Sequence, residues 1–184
     1  NGRQDVEGAF VAEVEILFPL RHQHIVRLVG WCSEEEDRII VYHHEHMSNG
    51  TLRDRLQRAG GGSSSSAATA PWRTRVAALL GVSRAVEHLH CSGIIHLDVS
   101  SSNILLDATW TPRLSGFGSA VFQAAGVEEH GGQLVEEVVG TPGYIDPDYS
   151  RTKRVSTASD VYSFGVVTGD PNSASVNYAQ HLHN

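Results

Sequence analysis

The sequence predicts an α+β fold: a short mixed N-terminal part followed by a larger, mainly helical part. Three observations carry this. Residues 5–20 place Val6, Phe10, Val14 and Leu17 at helical three-and-four spacing, with Val11 and Ile16 widening the apolar stripe. Two β-branched-rich runs, 25–31 and 38–42, flank an acidic stretch at 33–37 and read as paired strands. Two longer helical stretches then frame several short apolar runs, a pattern of segregated strands and helices rather than a regular alternation.

The elements follow in order. Pro19 ends the first helix, because the residue before a proline is pushed out of the helical region. Ser48, Asn49 and Gly50 form a turn, and Thr51 caps a short helix running to Arg58. Residues 59–70 are glycine-, serine- and alanine-rich and read as a flexible insertion. Pro71 opens a long helix to about His90, with Gly93 as its stop and His88 and His90 in its last turn. Runs at 94–95 and 104–106 hold a polar loop at both ends. Residues 118–140 are rich in glycine and glutamate without periodicity and predict a long exposed loop. Ser159 and Asp160 start an apolar helix, VYSFGVV, which breaks at Gly169, Asp170 and Pro171. Residues 170–184 read as a polar tail.

Bulk properties bound the function. With 184 residues and 40% hydrophobic content the chain suits one domain with a real core. A net charge of −7 argues against nucleic-acid binding, which wants a basic footprint. No apolar run approaches bilayer-spanning length. The opening at Asn1, without a signal-peptide pattern, predicts a fragment or a trimmed product. Cys32 and Cys91 make no disulfide framework and suit a reducing compartment. His43, His44 and His46 cluster, but not at a standard zinc spacing.

The chemistry concentrates in His96-Leu97-Asp98-Val99-Ser100-Ser101-Ser102-Asn103. An Asp and an Asn five apart, in a loop fixed at both ends, converge on one point. Such an Asp accepts a proton from a hydroxyl, and the Asn carbonyl coordinates Mg²⁺. Gly116-Phe117-Gly118 follows, then Gly140-Thr141-Pro142-Gly143-Tyr144, then Asp146-Pro147-Asp148 and DVYSFGVV. This ordered set resembles the signature of the protein-kinase C-lobe. RHQHIVRLVGWC, VYHHEHMSNGTL and YIDPDY resemble plant receptor-like Ser/Thr kinases, the crinkly-type group among them.

The resemblance implies a protein-kinase-like fold. A partial N-lobe and hinge would occupy residues 1–47, and a shortened, mainly helical C-lobe residues 48–169. It implies Asp98 as catalytic base and Asn103 as metal ligand. Glu13 matches the helix glutamate that pairs with a strand lysine, and Tyr42 the residue before the hinge. With Met47 and Leu105 these two would contact nucleotide, so ATP and Mg²⁺ are the implied cofactors. Leu17, Leu28, His96 and Phe117 match the hydrophobic stack joining the lobes, and Asp160 the buttress of the catalytic loop. A protein partner in a signalling complex, a cytoplasmic setting, and the inner face of the plasma membrane for a longer receptor are implied in the same way.

The departures from the family pattern matter more. No glycine-rich loop or phosphate-binding lysine precedes the first helix. Gly116 stands where the metal-binding Asp belongs. Leu97 replaces the arginine that receives a phosphorylated loop, Ser100 replaces the catalytic-loop lysine, and Asp148 replaces a glutamate. Phosphoryl transfer rests on positioning and charge stabilisation, and removing one such group costs about 10²–10³ in rate. The expectation is an inactive kinase-like binding module. The alternative is an active ATP-dependent Ser/Thr kinase whose nucleotide-binding part lies outside this chain. The sequence further predicts an open sheet edge at Ile39, Ile40 and Val41, and exposure of Val161, Phe164 and Val167 on the last helix.

Overall fold

A computed structural model describes residues 2–34, 37–43, 47–57, 72–124 and 131–169. The insertion at 59–70 and the tail at 170–184 lie outside the described residues.

Helix α1 spans Gly2–Leu17, beginning earlier than its apolar stripe and ending before Pro19. Arg21 Nη1 donates to the carbonyls of Phe18 and Leu20, both at 2.7 Å, closing the turn that follows the helix. Strands β1, Leu28–Glu34, and β2, Asp37–Tyr42, pair antiparallel with Trp31 opposite Ile40 and Cys32 opposite Ile39. Here the sequence reading needs correction. Residues 25–27 do not start β1, because Ile25 and Val26 bridge to Leu114 instead. Ser33, Glu34 and Asp37 belong to the strands rather than to a turn.

Helix α2 spans Leu52–Gln57. Its start is closed reciprocally: the Asp54 amide donates to Thr51 Oγ1, and the Thr51 amide to Asp54 Oδ2. Helix α3 spans Trp72–Cys91 and buries Ala78, Gly81, Val82, Ala85, Val86 and Leu89, a stripe at spacings of three and one. Gly81 is required by close approach, since a Cβ there would lie 2.5 Å from the Pro112 ring and 2.9 Å from the His24 ring.

Six short strands shape the rest: β3 Ile94–Ile95, β4 Ile104–Leu106, β5 Pro112–Leu114, β6 Val121–Phe122, β7 Gln133–Leu134 and β8 Arg154–Val155. They form three antiparallel pairs, β3 with β6, β4 with β5 and β7 with β8. A 3-10 turn covers Phe117–Ser119, helix α4 covers Pro147–Thr152, and helix α5 covers Thr157–Gly169. Among the described residues every sheet is two-stranded, so the fold is held chiefly by side-chain packing around α3 and the central loop.

The main core joins α1, α3, β4, β5 and the 3-10 turn. A second cluster gathers Ile95, Leu97, Tyr149 and Val155, with Val121, Val135, Val138, Val139 and Ile145 packed against it. This corrects the expected long exposed loop. The described parts of 118–140 contribute to the 3-10 turn, β6 and β7, and four valines enter an apolar cluster whose other members are distant in sequence. Residues 125–130 lie outside the described set. The last helix also differs from expectation: Val161 is exposed, but Val167 is buried and Phe164 packs against the main core.

Candidate active-site cleft

Residues 96–103 form the loop between β3 and β4. Its backbone is pinned by Asp160 at the start of α5, whose carboxylate is fully buried. Asp160 Oδ1 accepts the Leu97 amide at 2.8 Å; Oδ2 accepts the His96 amide at 2.8 Å and lies 2.8 Å from His90 Nε2. These bonds hold Leu97 at φ +64, a left-handed conformation costly for a branched apolar residue. His96 is wholly buried, its ring edge against Phe117 with centroids 4.6 Å apart. Its Nδ1 accepts the Asp98 amide, which puts the proton on Nε2, donated to the Ser115 carbonyl at 3.2 Å. Burial holds this imidazole's pKa below the usual histidine value, against the opposing pull of Asp160 and Asp98. Leu17, Leu28 and Phe117 are buried in the main core, and Phe117 is the one that meets the His96 ring.

Asp98 and Asn103 converge. Asn103 Nδ2 donates to the Asp98 carbonyl at 2.8 Å and to Asp98 Oδ2 at 2.6 Å. Asp98 Oδ1 accepts the Thr141 amide at 2.7 Å and the Thr141 hydroxyl at 2.5 Å. Thr141 also reaches Ser100, hydroxyl to hydroxyl, at 3.4 Å. Three donors therefore satisfy the carboxylate without a cation. Gly116 sits at φ +80, and a Cβ there would lie 2.7 Å from both Asn103 Cγ and Nδ2. The Asn103 amide thus fills the space that a side chain at 116 would enter.

A cavity of about 830 Å³ opens beside this loop. Glu13, Tyr42, Met47, Asn103 and Leu105 all line it, together with Gly116 and Ser115. Asp98 does not line it but is bonded to Asn103, which does. Tyr42 donates its hydroxyl to Glu13 Oε1 at 2.6 Å, so Glu13 has a partner from β2 within this chain. Burial first, then the hydrogen bond and charge of Glu13, push the Tyr42 hydroxyl pKa well above its usual value. Of the expected hinge, 43–47, residues 44–46 lie outside the described set.

The implied magnesium ion does not fit the residues present. Position 116 offers no carboxylate, so Asn103 Oδ1 has no acidic metal ligand beside it at that position. Among the described residues no group of three His, Cys, Asp or Glu side chains is placed to hold a metal. Asp148 forms an exposed pair with Arg151 at 2.8 Å, one turn along α4, which contributes little.

Some site residues escaped the sequence reading. Thr141 lies inside a motif that was read, and its place after a glycine was the available signal. The Tyr42–Glu13 bond and the Asp160–His90 contact join residues far apart in sequence and had no local signal.

Residues 2–175 match the protein kinase domain family. The serine/threonine-protein kinase-like protein CCR4 of Arabidopsis thaliana is 43% identical over 169 residues, 90% of this chain and 21% of that protein. The putative serine/threonine-protein kinase-like protein CCR3 of Arabidopsis thaliana is 40% identical over 89% of this chain and 20% of its own length. The receptor-like protein kinase ANXUR2 from the same plant is 38% identical over 86% of this chain and 18% of its own length. The chain spans about a fifth of the length of these relatives. Among the described residues no helix is long and apolar enough to cross a membrane. The chain belongs to the protein kinase domain family, and these relatives within it are plant receptor-like and Ser/Thr kinase-like proteins.

Proposed function

We propose that this chain is an inactive kinase-like module that acts in signalling by binding a protein partner, not by transferring phosphate. Residues 1–47 would be its small-lobe part and hinge, and 48–169 its large-lobe part. The observation that carries the reading is Gly116 against Asn103. A metal-binding carboxylate is absent at 116, and its space is filled by an amide already bonded to Asp98. Glu13, the expected partner of a phosphate-binding lysine, is bonded to Tyr42 instead. Asp98 would be a base beside no clamped nucleotide, its charge met by Thr141 and Asn103.

A second reading has one observation in its favour. Asp98 and Asn103 meet at hydrogen-bond distance, the arrangement phosphoryl transfer needs of a base and a metal ligand. On that reading the chain is part of an active Ser/Thr kinase.

Radiolabel transfer from ATP with Mg²⁺, to the chain itself and to a generic protein substrate, decides between them. The expected result is no transfer, in the parent chain and in Gly116→Asp alike, because Asn103 blocks the restored side chain. Transfer that disappears in Asp98→Asn would overturn the proposal and establish the second reading.

A further inference from the structure

Helix α3 carries two apolar faces, and the main core covers one of them. Ala78, Val82, Ala85, Val86 and Leu89 are buried in that core. Trp72, Val76 and Leu80 recur every four residues and stay in solvent, 74%, 44% and 52% exposed. At about 3.6 residues per turn they form one ridge about 12 Å long, on the side nearly opposite the buried set. Exposed apolar side chains are ordinary when scattered singly, but three in register make a contiguous surface. Tryptophan is also among the side chains that most often anchor protein–protein contacts.

The charge beside the ridge has one sign over most of its length. From Trp72 to Val86 the helix contains Arg73, Arg75 and Arg84 and no acidic residue. Arg73 and Arg84 are exposed and lie on the ridge's side of the helix, whereas Arg75 is partly buried and lies away from it. Glu87 is the first acid, about two turns beyond Leu80. A basic-edged apolar ridge therefore stands on a chain whose formal charge is −7.

Two occupants fit this surface poorly. A second copy of the face brings arginines towards arginines, with no carboxylate between Trp72 and Val86 to meet them. An anionic lipid surface is flat and meets the rest of a chain of charge −7 as well. A single helix from another protein meets the ridge alone. Its apolar stripe can cover Trp72, Val76 and Leu80, ridges into grooves, while carboxylates along its edge reach Arg73 and Arg84.

We propose that the outer face of α3 is a docking surface for an acidic amphipathic helix of a protein partner, anchored by Trp72, Val76 and Leu80 and oriented by Arg73 and Arg84. The inference rests on the reading that the chain works by binding a protein. It adds the surface and the chemistry of the partner.

Fluorescence anisotropy with a labelled helical peptide tests it, the peptide carrying leucines at every fourth position and glutamates along one flank. A second peptide has lysine at each glutamate position. The glutamate peptide is expected to bind, and the lysine peptide at least about tenfold more weakly. Trp72→Ser is expected to weaken the glutamate peptide at least about tenfold. Arg73→Glu and Arg84→Glu together should weaken it about tenfold by reversing two exposed charges. All three positions are exposed, so the melting temperatures of these variants should match the parent's. Leu80→Ser gives the same reading from a second apolar position. No binding of the glutamate peptide, equal binding of the two peptides, or parent affinity in the variants would each overturn the inference. Binding to phosphatidylserine vesicles that Trp72→Ser abolishes, or dimers that Leu80→Lys abolishes, would also overturn it by assigning the face to another occupant. Phosphate transfer from ATP with Mg²⁺ bears on the inactive-module reading alone, so the two failures are separable.

Discussion

The Leu97 amide donates to Asp160 Oδ1 at 2.8 Å, joining the 96–103 loop to the first turn of the last helix across 63 residues of sequence. The same carboxylate accepts the His96 amide and meets His90, so one buried side chain fixes two consecutive peptides and a helix end. An Asp160→Asn variant keeps the shape but turns one acceptor into a donor facing N–H groups. Its stability should fall by about 2–4 kcal/mol, the penalty of a buried unsatisfied group plus the lost bonds. Chemical denaturation followed by far-UV circular dichroism measures this, and an unchanged midpoint would show that Asp160 is not the fastener.

Stability should fall on acidification through the histidine range. His96 is buried neutral with its pKa below the usual 6.5, and His22 is shifted the same way by burial, with His88 and His24 adding to it. Above pH 6.5 folded and unfolded chains are both neutral at these positions. Below it the unfolded chain takes up protons that the folded chain refuses, so the stabilisation is full above 6.5 and is lost as pH drops further. Melting temperatures recorded between pH 8 and pH 5 should decline on the acid side, and a flat profile would contradict the assignment.

Leu97→Arg should loosen the segment at 131–139. Leu97 is buried among Val135, Val138, Val139 and Tyr149, and Tyr149 accepts the Val139 amide at 2.9 Å. A guanidinium there displaces apolar contacts in the cluster, with Glu136 and Glu137 lining the same cavity as Leu97, and should cost about 0.5–3 kcal/mol. Hydrogen exchange should then show lost protection at Val135 and Val139, while the wild-type segment stays protected. A protected variant would mean that the cluster tolerates the cation.

Val41→Lys should reduce self-association. Ile39 and Val41 are each about half exposed, and among the described residues β2 pairs only with β1. An apolar edge of this kind is a template for another chain, and an edge lysine discourages pairing. Sedimentation velocity at micromolar concentration should show larger species for the parent chain and fewer for the variant. A parent chain that runs as one monomeric species would refute the expectation.

Much of the fold was legible because its signals are local. The α1 helix, the Thr51 cap, the Gly93 stop and the two runs bracketing residues 96–103 each depend on neighbours within a few positions, although Val6 and Val11, read into the α1 stripe, stay exposed. The convergence of Asp98 and Asn103 followed from their spacing in a loop tied at both ends. What was not legible depends on distant partners. Val135, Val138 and Val139 have no helical or strand period, and nothing near them announces Leu97 or Tyr149. Val167 was expected at an exposed surface, yet α5 turns it into the main core. Arg21, Arg27 and Arg113 come from three separate segments, and only the fold brings them to one cavity.

The Tyr42–Glu13 bond fastens α1 to β2, and so does Arg38 to Glu7 at 2.7 Å, with the Arg38 guanidinium also over the Phe10 ring. Burial and Glu13 hold the Tyr42 hydroxyl pKa well above its usual value, so its proton stays available to Glu13 at the wall of the cleft. The two contacts sit at Glu7 and Glu13 in the middle turns of α1, so the pose of that helix against β2 is written into the chain's own side chains, one of them at the wall of the cleft.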